Sequence, residues 1–198
     1  DAEIHRQMLE RLGKSCTIDG DTLTIAEATP PATALEWEGR SIRNTLLILG
    51  ALTARTGAGA VPMPGGCNLG NRKYDIHVDV LEALGARVIE TEQTLSAEAP
   101  EGLTGGDIHL RIRSTGATEN ALICASLARG TSTIWNPHIR PEIIDLVRLL
   151  RQMGAGIEVH GQERITVTGR AQLTGADHRV LPDNMEALTW MIGATMTG

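Results

Sequence analysis

Phenylalanine is absent, and tryptophan and tyrosine together supply only 2% of the 198 residues. The core therefore has to be aliphatic, built from Leu, Ile, Val, Ala and Met, and a hydrophobic share of 41% suffices to build one. Cysteine is scarce. Cys16, Cys67 and Cys124 are odd in number, far apart, and show neither CxxC nor Cys/His ligand spacing, which argues against a disulfide scaffold and against a zinc site. No apolar run reaches the ~18 residues of a membrane span. Positive charge is in deficit, 18 Lys and Arg against 24 Asp and Glu, for a net charge of −6. The basic face of a nonspecific nucleic-acid binder is therefore not expected, although a local cluster of arginines can hold a small anion inside an acidic protein. The opening residues, DAEIHRQMLERLG, form a charged amphipathic pattern unlike a signal peptide. The expectation is a soluble cytoplasmic protein with no metal, no cofactor, no nucleic-acid partner and no membrane partner.

Glycine, by contrast, is plentiful, at 22 residues. Three segments end alike: Leu9-Glu10-Arg11-Leu12-Gly13, Leu81-Glu82-Ala83-Leu84-Gly85 and Leu150-Arg151-Gln152-Met153-Gly154. Their glycines lie 72 and 69 residues apart (85 − 13 and 154 − 85). Each closes a stretch with apolar residues at helical spacing and one charged face, as a half-exposed helix does, and each Gly suits the left-handed position that ends a helix. A second class alternates with the first. Ser41 to Thr56, Ala117 to Arg129 and Asp183 to Thr197 are apolar nearly all round, which predicts buried helices. Gly57, Gly130 and Gly198 follow them, and Ser41, Thr118 and Asp183 are the expected caps. Strands are predicted at Thr22–Ala26, Ala60–Met63, Arg87–Glu90, Ile108–Ile112, Ser132–Trp135, Gly156–Val159 and Arg164–Thr168, with Cys16 in a further one. One unit of roughly 70 residues thus recurs about three times. Its buried helices predict a closed arrangement, helices inside and sheets outside. The pattern begins inside an outer helix and stops after a buried one, so the chain reads as a segment of a longer protein.

The stretch PMPGGCNLGNRKYD, from Pro62 to Asp75, carries the clearest chemistry. Its Gly and Pro content suits a loop that closes over a ligand, and Arg72 and Lys73 would lower the pKa of the Cys67 thiol. An ordinary loop cysteine is the other reading, and both stand open on the residues alone. Cys124 lies in the apolar run ALICASLA, where a free cysteine acts as a small hydrophobe. Arg43 stands at the head of a buried helix, where a cation needs either a carboxylate partner or a cleft to face. RSTGATEN, from Arg113 to Asn120, leads into the next buried helix with small polar residues. Such a helix start can hold phosphate, and it is equally ordinary capping; the GxxxxGK[ST] loop is absent. His77 follows Asp75 and is either an acid–base group or a structural histidine. His109, His138, His160 and His178 show no ligand spacing.

Four blocks together resemble one family. PMPGGCNLGNRKYDIH resembles the cysteine loop of the UDP-N-acetylglucosamine 1-carboxyvinyltransferase (MurA) family of enolpyruvyl transferases. STGATENALICASLARGTSTIWN, RPEIIDLVRLLRQMGAGIEV and HRVLPDNMEALTWMIGATMTG resemble three further blocks, in family order and spacing. The cysteine loop separates this family from its shikimate-pathway relative, which shares the architecture.

The resemblance implies an inside-out α/β barrel of repeated βαβαββ-type units, in two lobes. Residues 1–181 would form most of the cysteine-loop lobe, its first unit incomplete, and residues 182–198 would begin the second lobe. The implied partners are phosphoenolpyruvate, UDP-N-acetylglucosamine and the remaining lobe. The implied reaction moves the enolpyruvyl group to the sugar 3-hydroxyl, the first committed step of peptidoglycan synthesis. Cys67 looks like the proton donor to the phosphoenolpyruvate methylene and the thiol alkylated by fosfomycin. Arg72 looks like a phosphate cation. Lys73, Tyr74, Asp75 and Ile76 match a segment lining the uridine, and Arg43 a substrate-contacting arginine. Ile112, Arg113, Ser114 and Thr115 match a stretch contacting the nucleotide diphosphate sugar. The family's Lys-Asn pair for phosphoenolpyruvate falls upstream of residue 1, and the aspartate assigned as base on the sugar hydroxyl falls downstream of residue 198. This chain departs from the family where Lys73-Tyr74 replace a common Pro-Val, where Ile112 replaces a common Lys, with Arg113 next to it as a substitute, and where Arg140 replaces an acidic residue. A nucleotide-sugar-binding lobe without catalysis, and a transferase acting on another nucleotide, are the alternatives.

Overall fold

The computed structural model describes residues 1–65 and 74–197. Cys67, Arg72 and Lys73 lie outside the described residues. The recurring unit is plain in the order of elements. Its first copy holds α1 (Ala2–Arg11), β1 (Lys14–Asp19) and β2 (Thr22–Glu27). The second runs through α2 (Thr45–Thr56), β3 (Ala58–Pro62), α3 (Asp75–Ala83), β4 (Arg87–Glu90) and β5 (Thr94–Glu98). The third has β6 (Asp107–His109), α4 (Thr115–Leu127), β7 (Thr131–Trp135), α5 (Pro141–Gln152), β8 (Gly156–His160) and β9 (Arg164–Thr168), and α6 (Asn184–Thr197) follows it.

The sheets repeat the same plan. In the second unit the strand after the buried helix pairs with the last strand, giving the order β3-β5-β4, all antiparallel. The third unit repeats it as β7-β9-β8 and adds β6 parallel to β7. A trace of that parallel strand exists in the second unit, where Leu35 N–H donates to the Ala60 carbonyl at 2.8 Å and Ala60 N–H to that of Thr33 at 2.9 Å. β1 and β2 pair only with each other and leave Ile18, Leu23 and Ile25 exposed.

Between the sheets run α2 and α4. Leu46, Leu49 and Leu52 of α2 and Ala117, Ala121, Leu122, Cys124 and Ala125 of α4 are buried, each large side chain contributing about 1.5–3 kcal/mol relative to exposure. Polar groups inside these helices bond back to their own carbonyls: Thr53 Oγ1 donates to Leu49 O at 2.8 Å and Ser126 Oγ to Leu122 O at 2.7 Å. The two helices touch closely at Gly50. A Cβ there would overlap Asn120 Oδ1 and lie 2.9 Å from Cys124 Sγ. The outer helices are amphipathic as expected, with Val80 and Leu81 of α3 and Ile143, Val147 and Leu150 of α5 turned inward. The glycines read as helix stops do stand in the left-handed region, Gly13 at φ 93°, Gly85 at 87° and Gly154 at 104°.

Several expectations need correction. α2 begins at Thr45, not Ser41, because the Ser41 hydroxyl is engaged elsewhere: it donates to Met63 O at 2.8 Å and accepts from Gly65 N–H at 3.0 Å. Arg43 therefore precedes the helix. α4 is capped by Ser114, whose Oγ accepts from Ala117 N–H at 3.3 Å, and not by Thr118, whose hydroxyl donates to Ser114 O at 2.7 Å. The strand predicted to Ile112 ends at His109, since only Leu110 N–H still reaches across, to Trp135 O at 3.2 Å. β5 has Leu95 and Ala97 buried within polar neighbours, an alternation too small in side-chain volume to be singled out from sequence. α6 is a helix, with Asp183 Oδ1 accepting from Met185 and Glu186 N–H at 2.9 and 3.1 Å, but it has no buried residue. Trp190 is 73% exposed, because burial needs a partner surface and none of the described residues supplies it. Among the described residues no helix is long and apolar enough to cross a membrane.

Candidate active site

A cleft of about 490 Å³ opens where the buried helices begin. Arg43, Asn44 and Leu47 line it from the head of α2, and Ile112 to Gly116 with Glu119 from the head of α4. His77 of α3 and His138 after β7 complete the wall. Two helix N-termini, each the positive end of its dipole, thus meet beside an arginine, which is an arrangement suited to an anion.

Each wall is fixed by local bonds. Ser114 holds the first turn of α4, and Thr115 Oγ1 lies 2.9 Å from His138 Nδ1. His138 N–H donates to Thr118 Oγ1 at 3.1 Å, tying the loop after β7 to α4. Arg113 sends Nε to Asn136 Oδ1 at 3.1 Å and Nη2 to Gln162 O at 3.4 Å. Asn136, in the left-handed region at φ 58°, anchors this cluster by donating from Nδ2 to Leu110 O at 2.8 Å.

The described residues flanking the cysteine stretch lie against the same region. Gly65 is bonded to Ser41, two residues before Arg43, and Tyr74 directly precedes α3. Tyr74 does not line the cleft. Burial, then a hydrogen bond to Glu90 of β4 and the charge of that carboxylate, push its phenol up to about 12. Ile76 is buried in the core. Asp75 Oδ1 accepts from Ile76 N–H at 3.0 Å, and its Oδ2 lies 2.5 Å from the Arg111 guanidinium in a partly exposed ion pair. Of the residues expected to contact substrate, the fold gathers Arg43, Ile112, Arg113, Ser114 and Thr115 around one cleft, while Tyr74, Asp75 and Ile76 are not in its lining.

His77, open in the sequence between an acid–base and a structural role, joins Glu119 and His138 as titratable groups of the cleft wall outside the expected site. Burial, and secondarily the positive charge of Arg43, push the His77 imidazole down to about 4, so it is neutral near pH 7. Burial, with the Glu142 carboxylate second, raises the pKa of Glu119. A carboxylate one turn into an otherwise apolar helix was the available signal for Glu119, the same one that singled out Arg43. Cys124 is buried and its thiol is pushed up to about 12, so it is no nucleophile.

Residues 8–198 match the family described as EPSP synthase (3-phosphoshikimate 1-carboxyvinyltransferase). The chain belongs to this family of enolpyruvyl transferases. It is 46% identical over 159 residues to a UDP-N-acetylglucosamine 1-carboxyvinyltransferase of Dinoroseobacter shibae, covering 80% of this chain and 38% of the relative. A protein of the same name, numbered 1, from Carboxydothermus hydrogenoformans is 42% identical over all 198 residues, which are 47% of its length. The chain thus spans less than half the length of these relatives. Among solved structures, the enolpyruvyl transferase NikO from Streptomyces tendae superposes with a TM-score of 0.77 at 23% identity, over 93% of this chain and 44% of that one. EPSP synthase from Acinetobacter baumannii gives 0.74 at 21%, over 99% and 45%. These superpositions show the shared fold, a mixed α/β inside-out barrel domain that makes up about half of such a protein.

Proposed function

We propose that this chain is the cysteine-loop lobe of a cytoplasmic enolpyruvyl transferase that moves the enolpyruvyl group of phosphoenolpyruvate to the 3-hydroxyl of UDP-N-acetylglucosamine. The observation that carries the reading is the cleft at the paired N-termini of α2 and α4, with Arg43 in its wall. The names of relatives at 42–46% identity supply the acceptor, UDP-N-acetylglucosamine, and the carboxyvinyl group transferred; phosphoenolpyruvate as donor comes from the family resemblance of the cysteine stretch. In this reading the helix starts at Asn44 and Ser114 and the Arg43 cation receive the negatively charged portions of the ligands, and Ser114 and Thr115 face the diphosphate.

The chemistry divides into two steps. In the first, a proton goes to the methylene carbon of phosphoenolpyruvate while the sugar oxygen bonds to the adjacent carbon and its own proton leaves to a base. In the second, phosphate departs and the new methyl group gives back a proton, restoring the double bond. Cys67 is the acid of this scheme and Arg72 the cation for phosphate. General acid–base steps contribute about 10²–10⁴-fold each, and fixed cations in a dry cleft stabilise the developing charge. The base on the sugar hydroxyl and the remaining phosphoenolpyruvate contacts belong to the other lobe. Residues 182–198 are read as the start of that lobe, because α6 is apolar along its length and buries nothing here.

The chain alone is therefore expected to bind UDP-N-acetylglucosamine weakly and to release no phosphate from phosphoenolpyruvate. An NMR titration with the nucleotide sugar should move the amide signals of residues 43–44 and 112–116. Unmoved signals at millimolar ligand would remove the cleft from consideration, and phosphate release by the chain alone would remove the division of the site between two lobes.

A further inference from the structure

Asp145 of α5 is the only acidic side chain among the buried polar ones of the described residues. A buried carboxylate needs partners, and both of its partners come from one stretch of chain. Its Oδ2 accepts from Leu181 N–H at 3.3 Å. Its Oδ1 lies 3.1 Å from His178 Nε2, at the distance of an ion pair and off the line of a hydrogen bond. At this contact the His178 and Asp145 side chains are only 10% and 12% exposed. Residues 169–183, which carry both partners, form no helix or strand. They are fastened first just past the end of α5, where Thr174 N–H donates to Met153 O at 2.9 Å. Asp145 stands eight residues before Met153 (153 − 145), about 12 Å back along the helix axis. The segment is therefore a strap that runs antiparallel to α5 and meets Asp145 before α6 begins at Asn184. Packing does not hold its last part. A groove of about 450 Å³ opens between Leu146 and Leu149 of α5 and Val180 and Pro182 of the strap, and Val180 is 73% exposed. The strap ends beside Glu142 in the first turn of α5, the carboxylate whose charge reaches Glu119 in the cleft wall. α6 thus starts on the side of the lobe where the cleft opens.

Resting on the reading of residues 182–198 as the start of the other lobe, we propose that Asp145 and His178 form a latch, a positioning device that fixes where the chain leaves this lobe and the direction α6 takes from it. Asp145 is the fixed side, built into a helix. His178 and the Leu181 N–H are the side that the strap brings. With the latch open, the nine residues between Thr174 and Asn184 (184 − 174 − 1) become a free tether, and α6 swings without any element unfolding. With it closed, the tether keeps few paths, which lowers the entropy cost of bringing the other lobe over the cleft.

The test compares wild type with Asp145→Ala and His178→Ala by NMR of this chain. The Leu181 amide should exchange with solvent about tenfold faster in Asp145→Ala, the loss expected for one charge-assisted hydrogen bond, while the amides of β7 and β9 exchange as before. Residual dipolar couplings of α5 and α6 should fit one alignment tensor in wild type, and in either variant those of α6 should shrink relative to those of α5. His178 lies outside every helix and strand, so its variant keeps the test open should Asp145→Ala weaken α5. A merely structural Asp145 would speed exchange throughout the lobe. That result, an unchanged Leu181 amide in Asp145→Ala, α6 couplings that stay with α5 in both variants, or α6 couplings already averaged in wild type would each overturn the latch and leave the lobe reading in place. Nuclear Overhauser contacts from α6 to the body of the chain would overturn the lobe reading instead.

Discussion

His77 is 6% exposed beside Arg43, and its imidazole is held down to about 4 against an ordinary value near 6.5. The unfolded chain therefore takes up a proton at this residue between roughly pH 6.5 and 4 while the folded chain does not. Stability is complete above that window and falls as pH drops through it. At pH 5 the loss attributable to His77 is about 2 kcal/mol by this linkage. Urea unfolding at pH 7 and pH 5 should show wild type losing more stability than His77→Gln by about that amount. Equal losses in the two proteins would mean that His77 is not the group responsible. His5, whose imidazole burial also lowers, contributes in the same direction to both proteins and so leaves the difference intact. At this scale sequence was a partial guide. Arg43 is conspicuous as a charge at the head of an apolar helix, and Cys124 is legible as an inert buried thiol. The phenol of Tyr74, by contrast, turns to Glu90 sixteen residues later (90 − 74), and no local pattern encodes that choice. Likewise the Ser41 hydroxyl serves Met63 and Gly65 and not the helix it precedes.

Among elements, the decisive contact is between α2 and α4, because both walls of the cleft are the ends of these helices. Gly50 lets them approach. Alanine there would gain about 1 kcal/mol of helix propensity but would drive a methyl group into Asn120, whose side chain is fully buried. Overpacking in a buried interface typically costs about 1–3 kcal/mol, so the clash should win. Gly50→Ala is expected to lower stability by about 1 kcal/mol or more in denaturant unfolding, and Asn120→Ser on that background should return part of it. A neutral or stabilising Gly50→Ala would show that the helices are not held at this distance. Helix ends at Gly13, Gly85 and Gly154 were readable because a left-handed residue is a local requirement that glycine meets best. Strand and cap limits were less so: β6 stops at His109 because its continuation is drawn to Asp75 on one side and Asn136 on the other.

For the whole molecule, α6 is the feature that sequence pattern alone misplaced. Met185, Leu188, Trp190, Met191, Ile192 and Met196 are all exposed. Periodicity tells which residues a helix can bury, while the surface that covers them is a property of the assembled protein. Because α6 buries nothing, removing residues 184–198 should leave the melting temperature of the chain within about 2 °C of its original value. The same truncation should abolish most binding of a hydrophobic dye. A large fall in melting temperature would show that α6 packs on the rest of the chain in solution.

The three sheets carry a last consequence, for how the chain finds this structure. Every described sheet is made within its own unit, and its hairpins close over short spans: β1 to β2, β4 to β5 and β8 to β9 are each joined by two or three residues. Loop-closure entropy is small for such spans and grows only slowly with length. Pairings of this kind are the fast, local events of folding, whereas the meeting of α2 with α4 joins segments roughly 70 residues apart. The cleft lies at that long-range junction, so its two walls are expected to meet only after the hairpins have closed.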